Sequence, residues 1–434
     1  MSSIDPRTGA ASRVLDLVDE QHDSMVSQLA EFVALPSISG TDAENEAIAH
    51  MSRAFASIGL DVDHWEIPLA ETMARPDFPG VEVDRREAWG AVGRLAGSGR
   101  GEGRSLMLNG HVDVVPEGDP ARWTTTAFDP RIEGGRRDGR LYGRGSCDMK
   151  AGLIASIWAV DAIKRSGIRL HGDLLVAAVL GEEDGGLGTY ATLQRSWRAD
   201  ACVIPEPTSL DLLAANAGAL TFRLVVPGQA THAARRTEGV SALEKFVPVH
   251  HAILELERER NRSREGASPK FPILYPISIG TVHCGDWASS VPDRLEAEGR
   301  LGVQLDESPA DARRAFEHAV AEACAADPWL RDHPVTVEWW GGQFASGRLP
   351  QDSDLLDRVQ AAHGAITGTT AGNWVAPYGS DLRLLTGIGG IPTLQYGPGD
   401  AVLAHGPDEY VPLAEVHTTA RALAVLALDL CGVA

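Results

Sequence analysis

Apolar and polar positions along the chain fall into two textures. From Thr41 to Gly59 apolar residues recur every three to four positions, with Ile48, Met51, Phe55 and Ile58 on one face. That period belongs to an amphipathic helix. Thr41 and Glu44 have the spacing of a capping box, and Gly59 stands where a helix stops. Short apolar runs at Ser105–Leu108, Asp173–Leu180 and Ala201–Ile204 predict buried strands. Gly152–Ser166, with Leu153, Ile157 and Val160 on one face, predicts a helix closed by Gly167. Strands alternating with helices predict an α/β fold, a mostly parallel central sheet flanked by helices.

From about Leu220 the texture changes. Thr221–Val226 alternates as a half-exposed strand does, and Leu295–Leu305 and Val335–Trp339 again read as strands. Between them Ser241–Arg260 reads as a long helix with Leu243, Val247 and Leu254 on one face. This is a smaller α+β insert, long enough to fold by itself. The first texture resumes at Asp352–Ala362 and Leu413–Leu430. The predicted organisation is therefore one domain from residues 1–218 and 342–434, interrupted by a second at 219–341. The Gly-rich stretch Gly97–Gly103 lacks the Lys-Ser/Thr ending of a phosphate loop and reads as a turn.

Composition narrows the class. A chain of 434 residues exceeds one ordinary core, and 44% apolar content is that of a folded globular protein. A net charge of -21 argues against nucleic acid, which is met by clustered Lys and Arg. Met1–Glu20 carries no apolar run of the signal-peptide kind, and no stretch approaches the roughly 20 apolar residues of a membrane span. The five cysteines are scattered without a CxxC pair, which speaks against a disulfide framework. The expectation is a cytoplasmic protein with no nucleic-acid or membrane partner.

Titratable clusters follow the apolar strands: His111 and Asp113, then Glu182 and Glu183, then Glu206. In open α/β sheets the ligand crevice lies outside the carboxyl ends of the strands, so this order gathers metal-type side chains around one crevice. His111 with Asp113 two residues on is a pairing in which a carboxylate orients a metal-binding imidazole. Asp148, in Gly145-Ser146-Cys147-Asp148-Met149-Lys150, stands at a loop-to-helix entry, where an N-cap is the alternative. The three carboxylates of Gly181-Glu182-Glu183-Asp184-Gly185 repel one another, so the segment is either a solvated turn or held by a cation. In the latter case one Glu is a ligand and its neighbour a general base. Glu206 lies between two prolines, and His405 in the turn Ala404-His405-Gly406-Pro407. Two histidines and three carboxylates suit two zinc-like ions with open positions for water and substrate.

These segments resemble, in the same order, the family of acetylornithine deacetylase, succinyl-diaminopimelate desuccinylase, aminoacylase and carboxypeptidase G, from about Glu31 onward. The resemblance implies hydrolysis of an amide in an N-acyl amino acid or related small N-acyl compound. It implies two divalent ions, zinc first, with cobalt and manganese sharing the same ligand types. Asp148 would bridge them; His111 and Glu206 would complete one site, Glu183 and His405 the other. Asp113 would orient His111, and Glu182 would take a proton from the attacking water and pass it to the leaving nitrogen. The resemblance also implies a cis peptide between Asp148 and Met149, and a homodimer through the insert. His232, in Gly228-Gln229-Ala230-Thr231-His232, matches the family histidine that reaches the partner subunit's site.

Two substrate-binding positions depart from the family. Members that bind an amino-acid carboxylate often carry Asn before a Val-Ile-Pro run and an Arg farther along. Here Ser289 replaces the Asn and Gly302 occupies the Arg position. Arg300, on the same strand face two residues earlier, is one stand-in. Arg383, in Gly379-Ser380-Asp381-Leu382-Arg383, is a second candidate anion binder, with Gly379 and Ser380 beside it. These departures keep three alternatives open: a deformylase or deacylase of a non-amino-acid amine, a dipeptidase or carboxypeptidase, and a non-catalytic regulatory homologue. The intact Glu182 and full ligand set speak against the last.

Overall fold

A strand buried on both faces loses its alternation, and Leu174–Val179 and Ala201–Ile204 are apolar or small without interruption. The computed structural model describes residues 9–99, 103–263, 266–268 and 270–434, so residues 100–102 of the Gly97–Gly103 turn lie outside it. The chain divides into two compact units. One joins Met1–Ala214, Arg348–Trp374 and Asp381–Ala434; the other joins Ala215–Gly347 and Val375–Ser380.

The first unit opens with α1 (Gly9–Glu20), α2 (His22–Val33), α3 (Asp42–Ser57), β1 (Asp61–Glu66), β2 (Trp89–Leu95) and β3 (Leu106–His111). There follow α4 (Ala151–Ser166), β4 (Leu174–Val179), α5 (Leu187–Gln194), β5 (Ala201–Ile204) and β6 (Leu212–Asn216). The second unit contributes β7 (Gly218–Pro227), α6 (Ala242–Arg260), β8 (Ile277–Cys284), β9 (Arg294–Val303), α7 (Pro309–Ala326) and β10 (Thr336–Phe344). The chain then returns through α8 (Leu355–Thr367), β11 (Thr393–Gln395) and α9 (Leu413–Cys431).

The large sheet runs in the order β1-β2-β4-β3-β5-β11-β6, with further short strands at its end. β4, β3, β5 and β11 are parallel neighbours, and β3, β4 and β5 are buried at every position. β1 with β2, β2 with β4, and β11 with β6 pair antiparallel. The sheet is therefore mixed: the expected parallel arrangement describes its centre and not its flanks. β1 shows why, since only Trp65 of its six residues is buried, the weak texture of an antiparallel edge. α4 packs against α1, α2 and α9 and buries Leu153, Ile154, Ile157, Val160 and Ile163. Each such side chain contributes about 1.5–3 kcal/mol of transfer free energy. Gly167, at φ 77°, closes α4 in the left-handed conformation that glycine adopts freely.

The helix predicted after Thr41 is α3, but its capping box is absent. The Thr41 hydroxyl donates to the Ile38 carbonyl, and the Glu44 carboxylate accepts from the Gly40 N–H and from Arg85. In the second unit the sheet runs β8-β9-β7-β10, antiparallel throughout. Leu220, Phe222, Leu224 and Val226 of β7 share a core with Leu295, Ala297 and Leu301 of β9 and with α6 and α7. α6 carries two apolar stripes. The one on Ala242, Phe246, Val249 and Ile253 is buried, whereas Leu243 and Val247 of the predicted face are 50% and 47% exposed. The i, i+4, i+7, i+11 stripe matches the facing sheet, and that contact selected it. Among the described residues no helix is long and apolar enough to cross a membrane.

Candidate metal centre

Parallel neighbours share one carboxyl edge, and the sequence clusters converge there. His111 is the last residue of β3, Glu182 and Glu183 follow β4, and Glu206 follows β5. Asp148 sits on the turn Ser146–Lys150, which leaves helical φ/ψ at Asp148 and Met149; the peptide between them is cis. Lys150, not Asp148, is the N-cap of α4. The His111 Nε2 lies 3.1 Å from Asp148 Oδ1 and 3.9 Å from Glu206 Oε1. The His405 Nε2 lies 3.7 Å from Asp148 Oδ2 and 3.1 Å from Glu183 Oε2. One ligand atom each from His111, Asp148 and Glu183 falls within 4.8 Å of the others, a candidate metal-binding triad. The solvated turn is not found: Glu182 and Asp184 are buried and the Glu183 side chain is 10% exposed.

Asp113 acts on this cluster differently from the expectation. Its backbone carbonyl, not its carboxylate, receives the His111 Nδ1 at 2.9 Å, which leaves Nε2 facing Asp148. Its carboxylate, 3.7 Å from Nδ1, accepts the N–H groups of Glu182 and Glu183 at 3.3 and 3.2 Å and the Ser39 hydroxyl at 3.2 Å. The buried carboxylate therefore shapes the turn that carries both glutamates. Arg383 also serves that turn: it is buried and donates to the Gly185 carbonyl at 2.7 Å.

Three supports were not singled out in the sequence. Arg85, from the loop before β2, donates to both oxygens of Glu44 and both of Asp184. Thr189 on α5 donates to Asp381 at 2.5 Å and receives the Asn109 amide at 3.1 Å. Arg144 and Glu409 form a buried ion pair at 2.6 Å. Arg144 and Glu409 lie in segments rich in chemistry, but no local pattern announces a partner more than 250 positions away; Arg85 carries no signal at all.

Charge shows what kind of group this donor set suits. Burial holds Glu182 well above the usual carboxylate range, helped by the negative charges of Asp381, Glu206 and Glu183. Burial and Asp148 do the same to Glu206. The charge of Glu183, then that of Asp148, lifts His405 to about 9. Burial opposes a charged His111, yet the hydrogen bond to Asp148 and the charges of Glu206 and Asp113 raise it well above its ordinary value. Burial would raise Asp148, but His111 holds it below the ordinary value. The imidazoles are thus pressed to take up protons against the carboxylates. A divalent ion answers the same charge with neutral imidazoles, so the donor set fits a metal.

The remaining candidates lie in the second unit. The His232 Nδ1 accepts the Ala234 N–H at 3.1 Å, so the neutral ring carries its proton on Nε2. The Ser289 carbonyl receives the Ala233 N–H at 2.8 Å, which joins Ser289 to the His232 segment. Arg300 lies half-buried on the sheet face away from the helices, its guanidinium 5.8 Å from the centre of the Phe344 ring. Gly379 packs on that ring so closely that a Cβ would meet it at 2.7 Å, and the Ser380 hydroxyl lies 3.4 Å from Asn216 Oδ1.

A mixed α/β sheet with a His/Asp/Glu triad at its carboxyl edge presents a candidate metal site. The pattern of Peptidase family M20/M25/M40 matches residues 107–429, and the chain belongs to that family. It is 26% identical over 445 residues to N-formyl-4-amino-5-aminomethyl-2-methylpyrimidine deformylase of Halalkalibacterium halodurans, covering 95% of this chain and 96% of that protein. It is 30% identical over 405 residues to succinyl-diaminopimelate desuccinylase of Gluconacetobacter diazotrophicus, covering 89% and 91%. Among solved structures, the di-peptidase Dug1p of Saccharomyces cerevisiae superposes with a TM-score of 0.75 over 97% of this chain and 98% of that one. At 16% identity this likeness speaks to fold alone. The triad and the family together support metal-dependent amide-bond hydrolysis.

Proposed function

We propose that the chain is a binuclear deacylase that cleaves the amide of a small N-acyl compound, an N-acyl amino acid in the first instance. One observation carries this reading: the two carboxylate oxygens of Asp148 face different histidines, His111 on one side and His405 on the other. Each histidine has a second carboxylate within 4 Å, Glu206 and Glu183 respectively. Asp148 would thus be shared, with His111 and Glu206 holding one ion and Glu183 and His405 the other. Two such ions, zinc first and cobalt or manganese by the same ligand types, would supply the charge that polarises the scissile carbonyl and acidifies the attacking water. Glu182, buried among carboxylates that raise its proton affinity, takes the proton from that water and returns it to the leaving nitrogen. The fixed tautomer of His232 supports its role as an Nε2–H donor to the oxyanion in the partner subunit.

Residues 219–341 act in this reading as a dimerisation domain. The exposed Leu243 and Val247 of α6 and the exposed Val282 of β8, the edge strand of its sheet, support a face that a second copy covers. A second substrate reading, a deformylase or deacylase of a non-amino-acid amine, is favoured by Ser289 and Gly302 and by the similarity to the pyrimidine deformylase. Turnover of metal-loaded protein on N-formyl, N-acetyl, N-succinyl and dipeptide compounds separates the readings. Preference for N-acyl amino acids supports the first, and preference for uncharged N-formyl amines the second. No turnover on any would favour a non-catalytic homologue.

A further inference from the structure

His405 differs from the other ligand-type residues in how it is held. His111 ends a central strand and Glu206 follows its parallel neighbour. His405 instead sits in a turn, its side chain 53% exposed, with φ of 63°; Asp408 in the same turn has φ of 54°. Left-handed backbone at a non-glycine residue is uncommon and persists where the surroundings hold it.

The Asp408 end is held by Thr124, whose N–H and hydroxyl donate to its carboxylate at 2.8 and 2.6 Å, and the His405 end by one ion pair. Arg144 Nη1 donates to Glu409 Oε2 at 2.6 Å and to the Gly406 carbonyl at 3.2 Å. Its Nη2 donates to the carbonyls of His405 and Pro116, both at 3.3 Å. The other oxygen of Glu409, Oε1, accepts the N–H groups of Cys147 and Asp148 at 2.9 and 3.1 Å. Both side chains are almost wholly buried, and the guanidinium carbon lies 5.2 Å from the centre of the Trp123 ring. Backbone bonds extend the same join, with the Gly143 N–H donating to the Glu409 carbonyl at 2.9 Å. One guanidinium and one carboxylate thus connect the His405 turn, the Asp148 turn and the segment beyond β3.

We propose that Arg144 and Glu409 are positioning residues that set His405 against Asp148, so that the affinity of the His405–Glu183 half for its ion depends on this pair far more than that of the His111–Glu206 half, which meets the clamp through Asp148 alone. The proposal rests on the two-ion reading above. Its physical basis is that outer partners orient a ligand and tune metal affinity, and only one half of the centre takes its histidine from a turn rather than a strand end.

Two conservative variants separate the links. Glu409→Gln keeps an oxygen for the Cys147 and Asp148 N–H groups but turns an amide donor toward the guanidinium. Arg144→Lys keeps the charge, but a compact ammonium cannot reach Glu409 and three carbonyls at once. Metal-stripped full-length protein is titrated with Zn2+ against a chromophoric chelator, with wild type and His405→Ala alongside. Wild type should show two binding steps. Each clamp variant should weaken the step that His405→Ala abolishes by about 10- to 100-fold and leave the other within about threefold. Retention of that other step also reports that the variant is folded. If both variants leave both steps unchanged, or weaken the two equally, the clamp proposal fails while the two-ion reading stands. If wild type binds a single Zn2+, the two-ion reading fails and the proposal with it.

Discussion

Arg85→Met tests whether the turn bearing Glu182 and Glu183 is held by a buried charge. Arg85 is 3% exposed at its side chain and donates four hydrogen bonds, two to Glu44 at 2.8 Å and two to Asp184 at 2.9 Å. Methionine keeps much of the volume and removes every donor. Breaking a buried ion pair from one side costs about 3–5 kcal/mol, because a buried charge is left without its partner. Two carboxylates are stranded here, but each keeps backbone donors: Gly40 N–H at 2.8 Å for Glu44, and Glu82 and Val83 N–H at 3.1 and 3.2 Å for Asp184. The expected loss is therefore the low end, about 3 kcal/mol near neutral pH and above. Its pH dependence has a definite sign. Burial lifts Glu44 to about 7, with Arg85 pulling the other way. A carboxyl raised in the folded state favours the fold fully below its unfolded value, and that contribution is lost as pH rises through the folded value. Removing Arg85 raises the folded value further, so the loss extends higher in pH. Urea unfolding at about pH 5 and about pH 8 should show the larger deficit at the higher pH. A deficit under about 1 kcal/mol at both, the scale of a surface pair, would refute the reasoning, as would a larger deficit at the lower pH.

Three further outcomes follow from the same account. Glu182→Gln should lower turnover by at least about 100-fold with metal content unchanged, whereas Glu183→Ala should lower metal content; a Glu182→Gln protein with most of its turnover would remove Glu182 as the base. Mixing His232→Ala chains with Glu182→Gln chains should restore activity through heterodimers, and no recovery after verified subunit exchange would sink the shared site. If the substrate carries a carboxylate that Arg300 binds, Arg300→Ala should cost roughly 1.5–3 kcal/mol, about 10- to 150-fold in kcat/KM. An unchanged kcat/KM would move the amino-acid reading behind the deformylase one.

Much of the centre was legible because strand ends leave a local trace. His111, the Glu182–Glu183 pair and Glu206 each follow an apolar run, and parallel neighbours then align the ends without further information. What stayed hidden depended on contacts between distant segments. Glu44 has the spacing of a capping residue, yet its carboxylate pairs with Arg85, 41 positions on. α6 offers two apolar stripes, and periodicity alone could not say which one the sheet would cover. Nothing local to Arg383 announces its bond to the Gly185 carbonyl. The antiparallel flank escaped notice because β1 buries a single tryptophan. In each case a tertiary partner decided the outcome.

The central claim is that Asp148 joins two ion sites that act together. Metal analysis of active, dialysed protein, combined with activity measured as Zn2+ is returned stepwise to stripped protein, tests it most directly. Metal content should approach two ions per chain, with full activity reached only as the second equivalent binds. Full activity at one equivalent, with no gain from a second, would contradict it.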